Sequence, residues 1–125
     1  MIYKEYGKTG NKVSAVGFGG MRFDLDKDER ENVDLVLYAK EQGINYFDTA
    51  PGYCDDKSET IMGKALSQLK REDYFVSTKY MPTRGENKQD FIDAVKKSLD
   101  KLKTDYIDYY HMVCVTCDAF YDEVF

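Results

Sequence analysis

The strongest constraint on this chain is its rhythm. Short apolar runs at residues 14–18, 44–47, 74–78 and 106–110 alternate with longer stretches of helical period. The first such stretch, about 28–42, places Val33, Val36, Leu37 and the stem of Lys40 at i, i+3, i+4, i+7 spacing. Asp26, Asp28 and Glu29 crowd its start, where negative charge suits the helix dipole, and Gly43 is a fitting stop. The second helix is expected to begin after Ser58 as N-cap, with Ile61, Met62, Ala65, Leu66 and Leu69 as its apolar stripe. Pro82 and Gly85 mark a loop. A third helix over 88–102 carries Phe91, Ile92, Val95, Leu99 and Leu102 on one side. Ahead of all this, residues 4–6 and 12–13 flank the turn-rich Gly7-Lys8-Thr9-Gly10-Asn11 and read as a hairpin. Residues 112–125 are only weakly assigned. Strands separated by helical crossovers imply a parallel sheet. A flavodoxin-like open sheet and half of a TIM barrel both fit that order, and periodicity alone does not choose between them.

Composition narrows the functions. The net charge of −5 argues against general affinity for nucleic acid or anionic membranes. No apolar run is long enough for a transmembrane helix, and the polar first residues lack the core of a secretory signal, so the cytoplasm is the default location. Three cysteines, Cys54, Cys114 and Cys117, suggest reduced thiols. The Cys114–Cys117 spacing has no second pair to complete a zinc site, so no metal is expected.

The chemistry lies where the strands end. In a parallel sheet the expected strands stop at Asp48, Lys79 and His111, with Tyr53 in the loop after the first of these, so four ionisable side chains converge on one rim. Taken singly, Asp48 could cap a turn, Tyr53 could be packing, Lys79 a solvated charge and His111 (the only histidine) a structural residue. Taken together, each at a different strand end, they favour a site. Tyr106, Tyr109 and Tyr110 read as packing residues rather than a nucleic-acid platform. Gly19-Gly20 closes the first long strand, where backbone can approach a ligand closely, and no G-x-G-x-x-G fingerprint is present.

At these residues the sequence resembles a known family. Gly43-Ile44-Asn45-Tyr46-Phe47-Asp48-Thr49-Ala50-Pro51-Gly52-Tyr53 is similar to the aldo-keto reductase signature around the catalytic Asp and Tyr. Ser58-Glu59-Thr60-Ile61-Met62-Gly63-Lys64-Ala65-Leu66 is similar to the segment just after that signature in bacterial-type members. Val76-Ser77-Thr78-Lys79 resembles the strand bearing the catalytic Lys, and Asp105-Tyr106-Ile107-Asp108-Tyr109-Tyr110-His111 the strand bearing the catalytic His. Gly7-Lys8-Thr9-Gly10 and Gly17-Phe18-Gly19-Gly20-Met21-Arg22 also fit.

The resemblance implies a TIM (β/α)8-barrel fold, here the first four β/α units preceded by an N-terminal β-hairpin, with residues 1–125 as a truncated N-terminal half of the barrel domain. It implies NAD(P)H-dependent reduction of a small-molecule carbonyl, with Asp48, Tyr53, Lys79 and His111 catalytic. A tyrosine hydroxyl ordinarily titrates near about 10, and a nearby ammonium favours the tyrosinate. The family makes Lys79 that ammonium, Asp48 its salt-bridge partner, Tyr53 the proton donor and His111 the group that orients the carbonyl. Gly20, Met21, Arg22 and Asp48 are the expected contacts to the nicotinamide end of NADPH or NADH, while the adenosine phosphate site of the family lies beyond these residues. An iron–sulfur cluster, carried by some bacterial relatives, would belong to a C-terminal segment. A half-barrel leaves open edge strands, a route to self-association. The alternative is a binding or structural module or an inactive reductase-like fragment, as potassium-channel beta subunits resemble reductases yet act largely as partners.

Overall fold

The computed structural model describes residues 1–82 and 87–115. Gly85, Cys117 and residues 116–125 lie outside that range. The first two strands, β1 (Tyr3–Glu5) and β2 (Lys12–Ser14), form the expected antiparallel hairpin. Four further strands, β3 (Phe18–Gly19), β4 (Tyr46–Asp48), β5 (Phe75–Tyr80) and β6 (Tyr109–Met112), pair in that order, every pair parallel. Among the described residues three α-helices connect them: α1 (Glu29–Glu41), α2 (Ser58–Leu66) and α3 (Lys88–Leu102).

The local sequence explains the helix ends. The Asp28 carboxylate caps α1 by accepting from the Arg30 amide at 2.8 Å. At its other end the amides of Gly43 and Ile44 donate to the carbonyls of Lys40 and Ala39, the paired bonds of a Schellman stop. That stop needs a left-handed residue, and Gly43 sits at φ 91°. A reciprocal capping box between Asn87 and Asp90 starts α3.

Alternation along the strands separates two faces. Phe47, Val76 and Thr78 face the helices and are essentially buried, beside Val36, Ile61, Met62, Leu66 and Leu102. The side chains two residues apart on the other face are Tyr46 and Asp48, Phe75, Ser77 and Lys79, and Tyr109 and His111. The hairpin contributes Tyr6 to this face, with ring centres 4.4 Å from Tyr109 and 5.7 Å from Tyr46. Asn45 fastens the hairpin to β4. Its side chain accepts from the Ser14 amide at 2.7 Å and donates to the Lys12 carbonyl at 3.0 Å.

Three expectations shift. The first long strand was expected over 14–18, but Ser14 pairs with Tyr3 in the hairpin and its hydroxyl donates to the Val16 carbonyl, bending the chain so that β3 starts only at Phe18. Ser58 is not the N-cap of α2. It is the first helical residue, and its hydroxyl donates to the Gly20 carbonyl instead. The strand expected over 106–110 starts at Tyr109, because Asp108 accepts from the Val76 amide through its side chain and Tyr106 lies flat on the Arg71 guanidinium, 3.7 Å from ring centre to Cζ.

The crossing of α2 and α3 is unusually close. A Cβ on Gly63 would stand 2.1 Å from the Lys101 carbonyl oxygen and 2.8 Å from backbone atoms of Leu102. Glycine is therefore required there by space.

Candidate active site

Parallel pairing brings the strand ends to one rim. Register sets Gly19 beside Asp48, Asp48 beside Ser77 and Lys79 beside His111. The Lys79 ammonium lies 2.6 Å from Asp48 Oδ2 and 2.8 Å from the Thr49 carbonyl oxygen. Ser77 donates to the second oxygen of Asp48 at 2.7 Å. The Lys79 side chain is 16% exposed and that of Asp48 33%, so the pair is partly shielded and stronger than a surface one.

Tyr53 leaves the rim on a strained turn. Cys54, Asp55 and Asp56 all adopt left-handed backbone, with φ of 53°, 53° and 64°, and none is a glycine. Two sets of contacts hold the turn. Asp56 accepts from the Gly52 amide at 3.2 Å and from Lys101 of α3 at 2.6 Å. The Cys54 thiol points at the Met21 carbonyl, 3.3 Å away. The Lys101 ammonium, with the Gly52 amide and Lys97, holds the Asp56 carboxyl below the ordinary carboxylate range. The Tyr53 ring centre then lies 5.2 Å from Lys79 Nζ, within cation–π range.

Beneath the rim, Thr49 Oγ1 and Ser58 Oγ are 2.7 Å apart and buried. Ser58 gives its proton to the Gly20 carbonyl, so Thr49 donates to Ser58, and one chain of bonds ties the ends of β3, β4 and α2. Gly20 is packed into that junction, where a Cβ would meet Ser58 Oγ at 2.5 Å. Gly19 has open space where a side chain would stand, and Met21 and Arg22 are exposed next to it. A cavity of about 710 Å3 opens beside the loop, with Tyr53, Lys79, Tyr80, Ser98 and Lys101 among its walls.

All four expected rim residues are present at strand ends or in the adjoining loop. Asp48 and Lys79 touch, Tyr53 stands over Lys79, and His111 is the register neighbour of Lys79. His111 Nε2 lies 3.5 Å from the Tyr46 hydroxyl. Burial pushes the Tyr46 phenol up to about 12, so it is neutral at ordinary pH. Tyr46, Ser77, Asp56 and Lys101 were not singled out from sequence. Period-two alternation carried the signal for the first two, since each precedes an expected site residue by two positions on its own strand. Nothing local signals Asp56 or Lys101, because their pairing joins a loop to a helix far along the chain.

Comparison with known proteins identifies the family. The sequence model of the Aldo/keto reductase family matches residues 15–125. A probable voltage-gated potassium channel subunit beta of Arabidopsis thaliana is 33% identical, over 86% of this chain and 36% of its own length. An L-galactose dehydrogenase from the same plant is 42% identical, over 84% of this chain and 35% of its own. The chain thus spans about a third of the curated relatives it matches. Among solved structures, the thermostable aldo-keto reductase Tm1743 in complex with the inhibitor epalrestat superposes with TM-score 0.82 and 31% identity, over 94% of this chain and 44% of its own. An aldo/keto reductase from Klebsiella pneumoniae in complex with NADP and acetate does so with TM-score 0.72 and 27% identity, over 82% and 36%. The four-stranded parallel sheet with its leading hairpin is accordingly part of a TIM-barrel architecture, and the flavodoxin-like alternative falls away. On sequence and fold, this chain belongs to the aldo/keto reductase family, a family of oxidoreductases.

Proposed function

We propose that these residues form the proton-handling part of a site that reduces aldehydes or ketones to alcohols with NADPH or NADH. The observation that carries the reading is the seat of Lys79, held by Asp48 at 2.6 Å and by the Thr49 carbonyl at 2.8 Å with the Tyr53 ring centre 5.2 Å away. When a carbonyl carbon accepts hydride, its oxygen must receive a proton, and in this reading Tyr53 gives it. The Lys79 ammonium stabilises the negative charge that develops on the phenol oxygen as the proton leaves. Asp48 fixes that ammonium in place, and His111 orients the carbonyl oxygen from the neighbouring strand.

The nicotinamide cofactor, when bound, supplies the hydride. The open backbone at Gly19 and the exposed Met21 and Arg22 beside it suit the close approach of a flat ring. Gly20, Met21, Arg22 and Asp48 are the residues assigned to that end, with the adenosine phosphate grip assigned to the remainder of a full barrel. Residues 1–125 then act as the N-terminal half of a barrel domain, in the cytoplasm, on a small-molecule carbonyl substrate. The open edges of the sheet favour association with a further set of strands, a second copy of the chain included. Among the described residues no helix is long and apolar enough to cross a membrane.

A second reading, a binding module without turnover, is favoured by the similarity to a probable potassium channel subunit beta. Replacing Tyr53 by Phe separates the two. A reductase should lose about 10²–10⁴-fold in carbonyl reduction, the usual worth of a positioned general acid, and still quench or enhance NADPH fluorescence on titration. Undiminished turnover in the folded variant would refute the role of Tyr53.

A further inference from the structure

We propose that Glu59 is a positioning residue that holds Tyr53 over Lys79, drawing Lys101 inward on one side and fastening β5 on the other. The inference rests on the reading of Tyr53 and Lys79 as the proton-handling pair, a chemistry in which Glu59 itself has no part. Glu59 is the second residue of α2, and its side chain is 2% exposed. An ionised carboxylate is costly to bury unless its oxygens are paired. Each oxygen of Glu59 has a partner. Oε1 accepts from the Thr78 hydroxyl at 2.7 Å, and Thr78 is the residue before Lys79 on β5. Oε2 lies 3.9 Å from Lys101 Nζ, which in turn lies 2.6 Å from Asp56 Oδ1. Asp56 also accepts from the Gly52 amide at 3.2 Å, so its carboxylate closes the turn that carries Tyr53. Tyr53, Lys79, Glu59 and Lys101 share the walls of one cavity.

The charge of Glu59, more than its hydrogen bond, explains the residue. A glutamine carbonyl could accept from Thr78 equally well. At 3.9 Å the contact with Lys101 is a charge–charge attraction rather than a hydrogen bond. The Asp56 side chain is 47% exposed and is shared with Lys97, whose ammonium lies 3.8 Å from Oδ2. That outer carboxylate alone would let Lys101 follow it towards solvent, and the like charge of Lys97 would push Lys101 off it. Glu59 supplies an inward pull from a position little screened by water, and the Lys101 side chain is only 17% exposed. Asp56 and the turn are held where Lys101 is held. A frame therefore runs from Thr78 through Glu59, Lys101 and Asp56 to Gly52, and its two ends are the sequence neighbours of Lys79 and Tyr53.

The experiment is NMR on the labelled 125-residue chain and on Glu59→Gln, Lys101→Met and the double variant, each checked for helical circular dichroism. Two signals are read. One is the nuclear Overhauser contact between the Tyr53 ring and the Lys79 ε-methylene, whose ammonium lies 5.2 Å from the ring centre. The other is exchange of the Gly52 amide, with the Val76 amide of β5 as the reference for global opening. Glu59→Gln should weaken the Overhauser contact and speed Gly52 exchange by about 5-fold relative to Val76. The double variant should exchange no faster than Lys101→Met alone, because both changes cut the same link. A folded Glu59→Gln chain that keeps the wild-type value of either signal, or losses that multiply in the double variant, overturns the proposal. If Glu59→Gln does not fold, the carboxyl ¹³C resonance of Glu59 decides: it should move in Lys101→Met, and an unmoved resonance overturns the proposal. These signals need neither cofactor nor substrate, so their outcome is separate from that of the Tyr53→Phe activity assay.

Discussion

Gly63→Ala is a perturbation in which two familiar effects have opposite signs. In an ordinary helix interior, replacing Gly by Ala stabilises by about 1 kcal/mol through lower backbone entropy in the unfolded chain and better helix propensity. Gly63 faces the end of α3, however, and the added methyl would stand 2.1 Å from the Lys101 carbonyl oxygen and 2.8 Å from Leu102 Cα. These are backbone atoms, which cannot rotate aside. Reaching an ordinary contact near 3.4 Å requires the last turn of α3 to retreat by about 1.3 Å. Leu102, 1% exposed and part of the core, would retreat with it. Overpacking of this kind costs about 1–3 kcal/mol, and a backbone obstruction places this site at the upper end. Subtracting the propensity gain leaves a net loss of about 2 kcal/mol. Urea denaturation followed by circular dichroism should move its midpoint down by about 1 M, with an unchanged slope. An unchanged or raised midpoint would refute the steric argument and mean that α2 and α3 can part at little cost.

Other contacts carry further expected outcomes. Because the Lys101 ammonium holds the Asp56 carboxyl below its unfolded-state value, that interaction stabilises the fold above the ordinary aspartate pKa of about 3.9 and is lost as pH falls through the lowered folded value. The stability difference between wild type and Asp56→Asn should therefore be level from about pH 7 to 5 and shrink below about 4; a difference that grows on acidification would contradict it. Arg71 joins the Tyr74 and Tyr106 carbonyls, the Thr104 hydroxyl and the Asp108 carboxylate while lying against the Tyr106 ring. Arg71→Lys keeps the charge but not the planar fork, and should cost about 2 kcal/mol in thermal or urea unfolding; a loss under about 0.5 kcal/mol, the surface value, would show the cluster to be ornamental.

Much of this was legible in the sequence, for identifiable reasons. The helices were readable because their stripes are long and their ends carry local signals, such as Asp28 at one end of α1 and Gly43 at the other. Asp48, Lys79 and His111 were readable because parallel pairing sends strand ends to one rim. Boundaries failed where a side chain competed with the ladder. Ser14 bends the chain through its own hydroxyl, and Asp108 takes the amide that a longer β6 would have bonded. Ser58 has the composition of a cap, but a buried junction with Thr49 and Gly20 claims its hydroxyl. The clamp on the Tyr53 turn was invisible because no periodicity links Asp56 to Lys101.

The left-handed turn behind Tyr53 also has a place in time. Cys54, Asp55 and Asp56 are costly conformations on their own, at about 1–2 kcal/mol each, and the backbone contact that helps secure them comes from Lys101, 45 residues later. Local sequence cannot offset that loop-closure entropy early. As the chain leaves the ribosome, the contacts of the turn with Gly52 and Met21 need only residues already made, while the Lys101 clamp on Asp56 closes only when the end of α3 has been made and docked. Amide exchange at Gly52 in chains ending just before and just after Lys101 would register that step, protected in the longer and open in the shorter; equal protection in both would mean that the turn sets itself.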